Sequence, residues 1–180
     1  MLGAEFHKLS VASVEPITDE AVRVTFDVPG GLAAGFAHIP GQHVIVRTTI
    51  RGETIRRSYS ICSRAGSGSL QIGIKHLPGG MFSSFANTEL RAGDVIDVTP
   101  PTGEFTVAIE PGSNRHHIAI VAGSGITPVL SMIESVLADE PESRFTLVYG
   151  NKDGRSVMFL DDLDRLKNRH TGRFVLFNIL

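Results

Sequence analysis

Residues 56–63, which read RRSYSICS, combine arginine, tyrosine and serine side chains that could bind a ligand carrying both a phosphate and an aromatic ring. On a strand, side chains alternate, so Arg57 and Tyr59 would point to one side and Ser58 and Ser60 to the other. A guanidinium pairs with phosphate through charge-assisted hydrogen bonds, and a tyrosine can lie flat on another ring. Ser60 could offer its hydroxyl or N–H to the edge of that ring. The alternative is an ordinary surface strand, which would account for the arginine but not for the whole combination.

A second segment with binding chemistry is GSGITP, residues 123–128, which stands between an apolar run and a helical stretch. Glycines let the backbone approach a phosphate closely, and a helix N-terminus presents free N–H groups and a positive dipole end. Thr127 could cap this helix, and Pro128 suits its first turn. The pattern predicts a phosphate-binding turn, with a tight turn before a capped helix as the simpler alternative.

Two further segments carry groups suited to anions. PGGMFSS, residues 78–84, is another transition from glycine to helix with hydroxyls in the first turn, so it predicts either an anion-binding loop or an ordinary helix cap. After the strand-like residues 145–150, Lys152 and Arg155 could contact a phosphate, although Asp153 lies between them. No acidic residue ends that strand to hold a ribose hydroxyl.

The first 110 residues have the pattern of an antiparallel β-domain. Short runs of alternating apolar residues are separated by glycine and proline clusters, which is typical of a barrel or a sandwich. The predicted strands are residues 21–28, 43–50, 70–75 and 94–99, and the one predicted helix is residues 82–90.

From about residue 115 the pattern changes to strands alternating with helices, after a polar linker predicted at residues 110–117. The order predicts a parallel sheet with right-handed crossovers, and the continuous apolar run at 118–122 suggests a strand covered on both faces. We therefore predict a β-domain over residues 1–110 and an incomplete α/β domain over residues 115–180. The predicted strands of the second domain are 118–122, 145–150 and 173–178, and its helices run from about 126 to 139 and from 158 to 169. Each helix is predicted to carry an apolar stripe, formed on the first by Val129, Ile133, Val136 and Leu137 and on the second by Leu160, Leu163 and Leu166.

Composition argues against several classes of function. The 180 residues include 17 basic and 19 acidic side chains, and the net charge of −2 gives no bulk attraction for nucleic acid or an anionic membrane. No apolar run approaches the roughly 18–20 residues that span a bilayer, and the first residues lack a signal-peptide core. The single cysteine, Cys62, can form no internal disulfide and cannot by itself hold an iron–sulfur cluster. It is interpreted as a small buried packing residue rather than a nucleophile, because no base is evident beside it. We predict no metal site and a cytoplasmic location.

Taken together, these segments resemble the ferredoxin–NADP reductase superfamily and, within it, the branch of oxygenase reductases. RSYS at residues 57–60 is similar to the Arg-x-Tyr-Ser signature of that family. PGQHV at 40–44, GGMFS at 79–83 and GSGITP at 123–128 occur in the family's order and at about its spacing, and YGN at 149–151 matches as well. The resemblance covers nearly the whole chain.

The resemblance implies an N-terminal antiparallel β-barrel that binds FAD. On this barrel, Arg57 is expected to contact the FAD pyrophosphate, Tyr59 to stack on the isoalloxazine ring, and Ser60, next to Ser58, to lie near flavin N5. The strand end at Ile74 and Lys75 is expected to touch the ribityl chain or a phosphate. The short helix is expected to bind the pyrophosphate through backbone N–H groups and a hydroxyl, at Gly80, Met81 and Ser83.

The resemblance also implies that the α/β domain binds NAD(P)H and that hydride passes from nicotinamide C4 to flavin N5. The dinucleotide site would be lined by Gly123, Gly125, Thr127 and Pro128, with Thr127 also close to the flavin. The residues nearest the reaction would then be Tyr59, Ser60 and Thr127. Electrons are expected to leave singly for a ferredoxin domain or an oxygenase component. Lys152 and Arg155 favour NADPH over NADH because they could meet its 2′-phosphate.

The sequence departs from this family in two respects. It has no ferredoxin domain with four cysteines and no Cys-Gly-Pro segment late in the α/β domain, and its parallel sheet is predicted to stop after three strands. We expect a fragment of a longer reductase, and the alternative is a shortened natural protein that completes its sheet against a partner. An unfinished sheet would favour self-association. The alternative functions are a non-catalytic flavin-binding or interaction module and a purely structural role.

Overall fold

Residues 5–180, the part of the chain that the computed structural model describes, begin with a unit built from six antiparallel strands. The strands adjoin in the order β4-β3-β6-β1-β2-β5. Alternate apolar residues of every strand point into one core, as expected of a sheet with one buried face. The strands are β1 (His7–Thr18), β2 (Ala21–Asp27), β3 (His43–Ile50), β4 (Glu53–Ser60), β5 (Leu70–Lys75) and β6 (Val95–Val98).

Pairing beyond the end of β4 closes this sheet into a barrel. Ile61 forms a bridge with Ile72 of β5, and the Cys62 N–H donates to the Gln71 carbonyl at 2.8 Å. A short helix, α1 (Met81–Thr88), adds buried apolar side chains to the barrel core. The predicted antiparallel β-barrel with one short helix is therefore confirmed.

The second unit is a three-stranded parallel sheet in the order β7-β8-β9. Both of its helices pack on the same face, because right-handed crossovers lie on one side of the sheet when successive strands are added in one direction. The buried stripe predicted for the first helix forms the centre of this second core. The elements are β7 (His116–Ala122), α2 (Ile126–Asp139), β8 (Arg144–Gly150), α3 (Leu160–Arg169) and β9 (Phe174–Ile179).

The prediction that β7 is covered on both faces is wrong. Ile118 and Ile120 are 66% and 80% exposed. The register places Val175 and Phe177 of β9 on the same uncovered face, and both are exposed as well. The cause is that α2 and α3, the two described helices of the α/β unit, pack on the opposite face only.

Two local predictions for the helices are also wrong. Thr127 does not cap α2, because the N-cap residue is Gly125 and makes no side-chain capping bond. The Thr127 hydroxyl instead donates to the Ser124 carbonyl at 2.9 Å, within the helical turn that leads into α2. Leu160, predicted on the apolar stripe of α3, is 37% exposed, because it is the first residue of that helix and lies at its open end.

A buried carboxylate fixes the segment that joins the two units. Glu140, at the end of α2, is completely buried, and it accepts hydrogen bonds from the Glu110 N–H at 3.0 Å and from the Arg115 guanidinium. Burial by itself raises the pKa of Glu140, but the hydrogen-bond donors, the Glu110 N–H first, outweigh this effect and bring the pKa down to about 2. The ionised carboxylate therefore anchors the linker to the α/β unit.

The barrel and the α/β unit contact each other through polar and charged groups as well as apolar ones. Ser131 of α2 donates to the Ser63 carbonyl at 2.7 Å, and Arg23 of β2 forms an ion pair with Asp162 of α3. No helix within residues 5–180 combines the length and apolar character needed to cross a bilayer. The cytoplasmic location stays a prediction.

Candidate functional site

The end of β4 presents the side chains of the RSYS segment in the predicted alternation. Arg57 and Tyr59 lie opposite Val46 and Val44 of β3, so they share one side of the strand, whereas Ser58 and Ser60 lie on the other. The Tyr59 ring packs on α1, 5.5 Å from the ring centroid of Phe82. Burial raises the pKa of Tyr59 to about 12, and the neighbouring Arg57 opposes this rise. Tyr59 is therefore a neutral, half-buried ring with one part of its surface open.

The Arg57 guanidinium is available to bind an anionic ligand. Its side chain is exposed, and its Nη1 donates to the Arg56 carbonyl at 2.7 Å. No carboxylate of residues 5–180 pairs with it. A free guanidinium beside an open tyrosine ring fits the phosphate and aromatic parts of a flavin nucleotide.

The start of α1 forms a second polar surface close to Tyr59. Gly80 is the N-cap residue and supplies no capping side chain, so the first N–H groups of α1 have no side-chain partner within residues 5–180. A Cβ at Gly80 would lie only 2.5 Å from Ser83 Oγ. The Ser83 hydroxyl is already engaged, because it accepts from the Leu77 N–H and donates to the Gly80 carbonyl, both at 3.1 Å. The free donors at this turn are therefore the backbone N–H groups, including that of Met81.

The end of β5 adjoins the same helix. The Ile74 side chain is fully buried in the barrel core, and its carbonyl accepts a hydrogen bond from Asn87 of α1 at 3.3 Å. Lys75 is only partly buried. Lys75, rather than the side chain of Ile74, is therefore the group at this strand end that a ligand can reach.

On the α/β unit, the turn from Gly123 to Gly125 follows β7 directly and leads into α2. Gly123 has φ of +49°, a conformation that favours glycine, and no atom of the described residues lies within 4 Å of the position a Cβ would take there. Tyr149 of β8 holds this turn, because its hydroxyl donates to the Gly123 carbonyl at 3.0 Å and accepts from the Met158 N–H at 3.2 Å. The result is an open glycine turn at a helix N-terminus, which suits a dinucleotide phosphate.

The two predicted 2′-phosphate contacts lie in different surroundings. Lys152 follows β8 at the same sheet edge as the glycine turn, because Ala122 and Gly150 are paired. Arg155 lines a cleft of about 360 Å³ between the β1–β2 hairpin and the start of α3. Between them, the Asp153 carboxylate is engaged locally, since it accepts the Ser156 N–H at 2.9 Å.

Gly73 and Phe159, which are not among the predicted site residues, bring the two units together beside this turn. Gly73 of β5 packs so closely on the α/β unit that a Cβ there would lie 2.8 Å from Phe159 Cζ and 3.3 Å from Thr127 Oγ1. Thr127 is accordingly buried at the contact between units, whereas Pro128, in the first turn of α2, is partly exposed. A glycine inside a strand often marks such a close approach, so the sequence did carry a signal for Gly73.

Cys62 lies at the same boundary and is inert. The side chain is 1% exposed and belongs to the second apolar core. Burial raises the pKa of its thiol to about 12, so little thiolate forms near neutral pH. The prediction of a small packing residue rather than a nucleophile agrees with this setting. The described residues also contain no group of three or more His, Cys, Asp and Glu side chains placed to hold a metal ion.

Two family models match the two units. The model described as "Oxidoreductase FAD-binding domain" matches residues 8–107, and the model described as "Oxidoreductase NAD-binding domain" matches residues 119–180. Among curated proteins, a subunit of the 1,2-phenylacetyl-CoA epoxidase of Escherichia coli (strain K12) is 41% identical over 97% of this chain and 49% of its own length. The ferredoxin reductase component of 3-ketosteroid-9-alpha-monooxygenase of Rhodococcus rhodochrous is 31% identical over 96% of this chain and 48% of its own. The chain thus spans about half the length of these relatives.

Solved structures share the fold at low sequence identity. Ferredoxin-NADP+ reductase from Plasmodium falciparum superposes with a TM-score of 0.83 at 19% identity, over 97% of this chain and 73% of that one. The FAD/NAD-binding domain of nitric oxide dioxygenase from Vibrio cholerae gives a TM-score of 0.80 at 20% identity, over 95% of this chain and 72% of that one. The arrangement of barrel and α/β unit is therefore that of ferredoxin reductases.

Proposed function

Because the chain belongs to the oxidoreductase family that joins an FAD-binding domain to an NAD-binding domain, we propose that it is an NAD(P)H-dependent flavin reductase. It passes electrons from NADPH through FAD to an iron–sulfur or oxygenase partner. The observation that carries this proposal is the position of Arg57 and Tyr59. The Arg57 guanidinium forms no ion pair within residues 5–180, and it lies beside the partly exposed ring of Tyr59 at the edge of α1.

The residues of the chain bind and orient the cofactors. Arg57 and the free N–H groups at the start of α1 hold the FAD pyrophosphate, and Tyr59 fixes the plane of the flavin ring. Ser60 lies one residue beyond Tyr59 and offers polar groups to the ring edge. The Gly123–Gly125 turn holds the dinucleotide phosphates. The bound flavin and nicotinamide themselves supply the hydride and single-electron chemistry.

We infer that NADPH is preferred to NADH. Lys152 is exposed and has no ion-pair partner among residues 5–180, and Asp153 is occupied by its own turn. A free cation at the carboxyl end of β8 favours a 2′-phosphate over a 2′-hydroxyl. Arg155 adds positive charge close to it along the chain.

The proposed partner is the iron–sulfur or oxygenase component of a multicomponent oxygenase of the phenylacetyl-CoA type. Two relatives, at 41% and 31% identity, are named as a subunit of an epoxidase and as a component of a monooxygenase. A third, methane monooxygenase component C of Methylosinus trichosporium, is 32% identical over 87% of this chain.

The test is a visible spectrum of the purified chain, recorded before and after anaerobic NADPH. We expect flavin absorbance bands that NADPH bleaches faster than NADH at equal concentration. A control without added nucleotide excludes photoreduction. A protein that carries no flavin and does not bind added FAD would contradict the proposal. Bound flavin that neither nucleotide reduces would leave a flavin-binding module in place of a reductase.

A second candidate function, an interaction module, is favoured by the uncovered face of the parallel sheet. Ile118 and Ile120 of β7 and Val175 and Phe177 of β9 form one exposed apolar surface. Monomeric proteins rarely leave so many large apolar side chains together in water. We propose that this face drives self-association of the 180-residue chain.

We expect the chain to sediment as a dimer or larger species whose proportion rises with concentration. The Ile120→Lys/Phe177→Lys variant should move it towards monomer, because two charges on the contact surface oppose burial. Leu77→Lys is the matched control, since Leu77 is 61% exposed on a barrel loop. A wild-type chain that stays monomeric at every concentration would contradict this assignment. So would a Leu77→Lys control that shifts the chain towards monomer as much as the double variant does.

A further inference from the structure

We propose that Gly73 and Phe159 form a spacer that sets the separation between the barrel and the glycine turn of the α/β unit. The spacer thereby sets the alignment of the FAD site with the NAD(P)H site. This inference rests on the proposed function and adds to it a pair of positioning residues outside the predicted cofactor contacts.

On the barrel side, the spacer is the backbone of Gly73, which has no side chain. Gly73 lies in the middle of β5, opposite Arg23 of β2, and is buried. Its φ lies outside the positive range in which L side chains are strained, so the conformation itself does not demand glycine. What excludes a side chain is space, because the Cβ position lies 2.8 Å from Phe159 Cζ and 3.3 Å from Thr127 Oγ1. Glycine is therefore needed for contact between units, and not for the shape of its strand.

The other side of the spacer is a ring that cannot easily move. Phe159 is 1% exposed, and its backbone is left-handed, with φ of +61°, which is strained for a bulky residue. The Arg23 guanidinium lies over the ring, 5.2 Å from its centroid, and Arg23 is itself held by Asp162 of α3. The ring lies between a charged pair and the strand it touches, so we expect added bulk at Gly73 to push the two units apart.

The spacer is connected to the glycine turn by hydrogen bonds. The residue before Phe159, Met158, donates its N–H to the Tyr149 hydroxyl at 3.2 Å, and that hydroxyl donates to the Gly123 carbonyl at 3.0 Å. Thr127, two residues after the turn, touches the Gly73 position directly. A displacement at Phe159 is thus transmitted to the backbone that holds the dinucleotide phosphates.

This arrangement matters because transfer between two bound cofactors depends steeply on their geometry. A misplacement of about 1 Å can cost on the order of a hundredfold in rate. Apart from Thr127, which is expected close to the flavin as well, the predicted FAD contacts are on the barrel and the predicted dinucleotide contacts are on the α/β unit. The contact that fixes the gap between the units therefore controls the rate without touching either cofactor.

The experiment uses three variants of the full chain: Gly73→Ala, Phe159→Leu and the double variant. Gly73→Ala should slow flavin reduction by saturating NADPH about tenfold or more in stopped-flow measurements. Its Kd values for FAD and for 2′-phospho-AMP should stay within about twofold of wild type. The double variant should recover most of the rate, because leucine lacks the ring edge that meets the new methyl group. Gly31→Ala is the matched control, since no atom of residues 5–180 lies within 4 Å of its Cβ position.

A readout without cofactors separates this inference from the proposed function. In urea unfolding, each single variant should lower the midpoint. The double variant should lower it by less than the two single decreases added together, because the methyl group added at position 73 fills space that the smaller leucine side chain at position 159 leaves. A strictly additive cycle, or Gly73→Ala reducing its flavin at the wild-type rate, would overturn the spacer. If the wild-type chain bound no FAD, the proposed function would fail, and the unfolding cycle would still decide whether the contact exists.

Discussion

Replacing Arg57 with alanine is expected to weaken FAD binding about a hundredfold, because one charge-assisted contact to the pyrophosphate is lost. The effect should fall on binding and not on folding. The Arg57 side chain is exposed, and its one hydrogen bond within residues 5–180 goes to the carbonyl of its own neighbour, Arg56. The midpoint of urea unfolding of the FAD-free variant should therefore match wild type, while flavin fluorescence titration reports the loss of affinity.

The adjacent arginine supplies the matched control. Arg56 lies on the opposite side of β4, and its guanidinium is 5.5 Å from the ring centroid of Phe6, so Arg56→Ala should leave the Kd for FAD unchanged. Arg57→Lys should recover only part of the affinity, because an ammonium cannot form the paired contacts of a guanidinium. Equal losses in Arg56→Ala and Arg57→Ala would show that general positive charge, and not this site, attracts the cofactor.

The repeating pattern of apolar residues was enough to predict the barrel and the order of elements in the α/β unit. The strands at 43–50 and 70–75 were predicted with their observed bounds, because their apolar residues alternate and turn residues flank them. The longest strand, β1, was not delimited. It contains Pro16 and several hydroxyl and charged residues, and its pairing shifts register twice. It is a strand because β2, the next strand along the chain, pairs with it on one side and β6, from a distant part of the chain, pairs with it on the other.

Coverage of a strand could not be predicted from its composition. The apolar run at 118–122 has the composition of a strand buried on both sides, yet only the face towards α2 is covered in the described residues. The pattern of apolar residues along a strand indicates which side chains are suited to burial, but it does not indicate which element packs against them. The uncovered isoleucines are consequently a property of the chain that only the structure displays.

The candidate site shows the same division between local and distant information. Each motif could be recognised from the chemistry of a few adjacent residues. Their assembly depends on contacts between distant segments, such as the bridge between Ile61 and Ile72 and the packing of Tyr59 on Phe82. The burial of Thr127 against Gly73 depends equally on tertiary packing.

Gly41 shows why a glycine of the PGQHV segment is needed, and its replacement by alanine is expected to destabilise the chain by about 3 kcal/mol or more. Its φ is +101°, and a Cβ would lie 2.1 Å from the Phe105 carbonyl oxygen and 2.4 Å from Met132 Cε. The first contact is with backbone, which cannot rotate away. The second is with a side chain of α2, so the clash is felt in both units at once.

The damage from Gly41→Ala should also reach the FAD site, because the next residue supports the RSYS strand end. The Gln42 carbonyl accepts the Ile61 N–H at 2.9 Å, and that bond stands directly beyond Tyr59 and Ser60. We expect Tm to fall by about 6–12 °C, together with a weaker Kd for FAD at temperatures where the variant is still folded. Gly112→Ala should change neither quantity, because no atom in the described part of the chain lies within 4 Å of its Cβ position. A Gly41→Ala variant with wild-type Tm would mean that the loop can yield. Wild-type FAD affinity in a destabilised variant would mean that the strand end is held without the Gln42 bond.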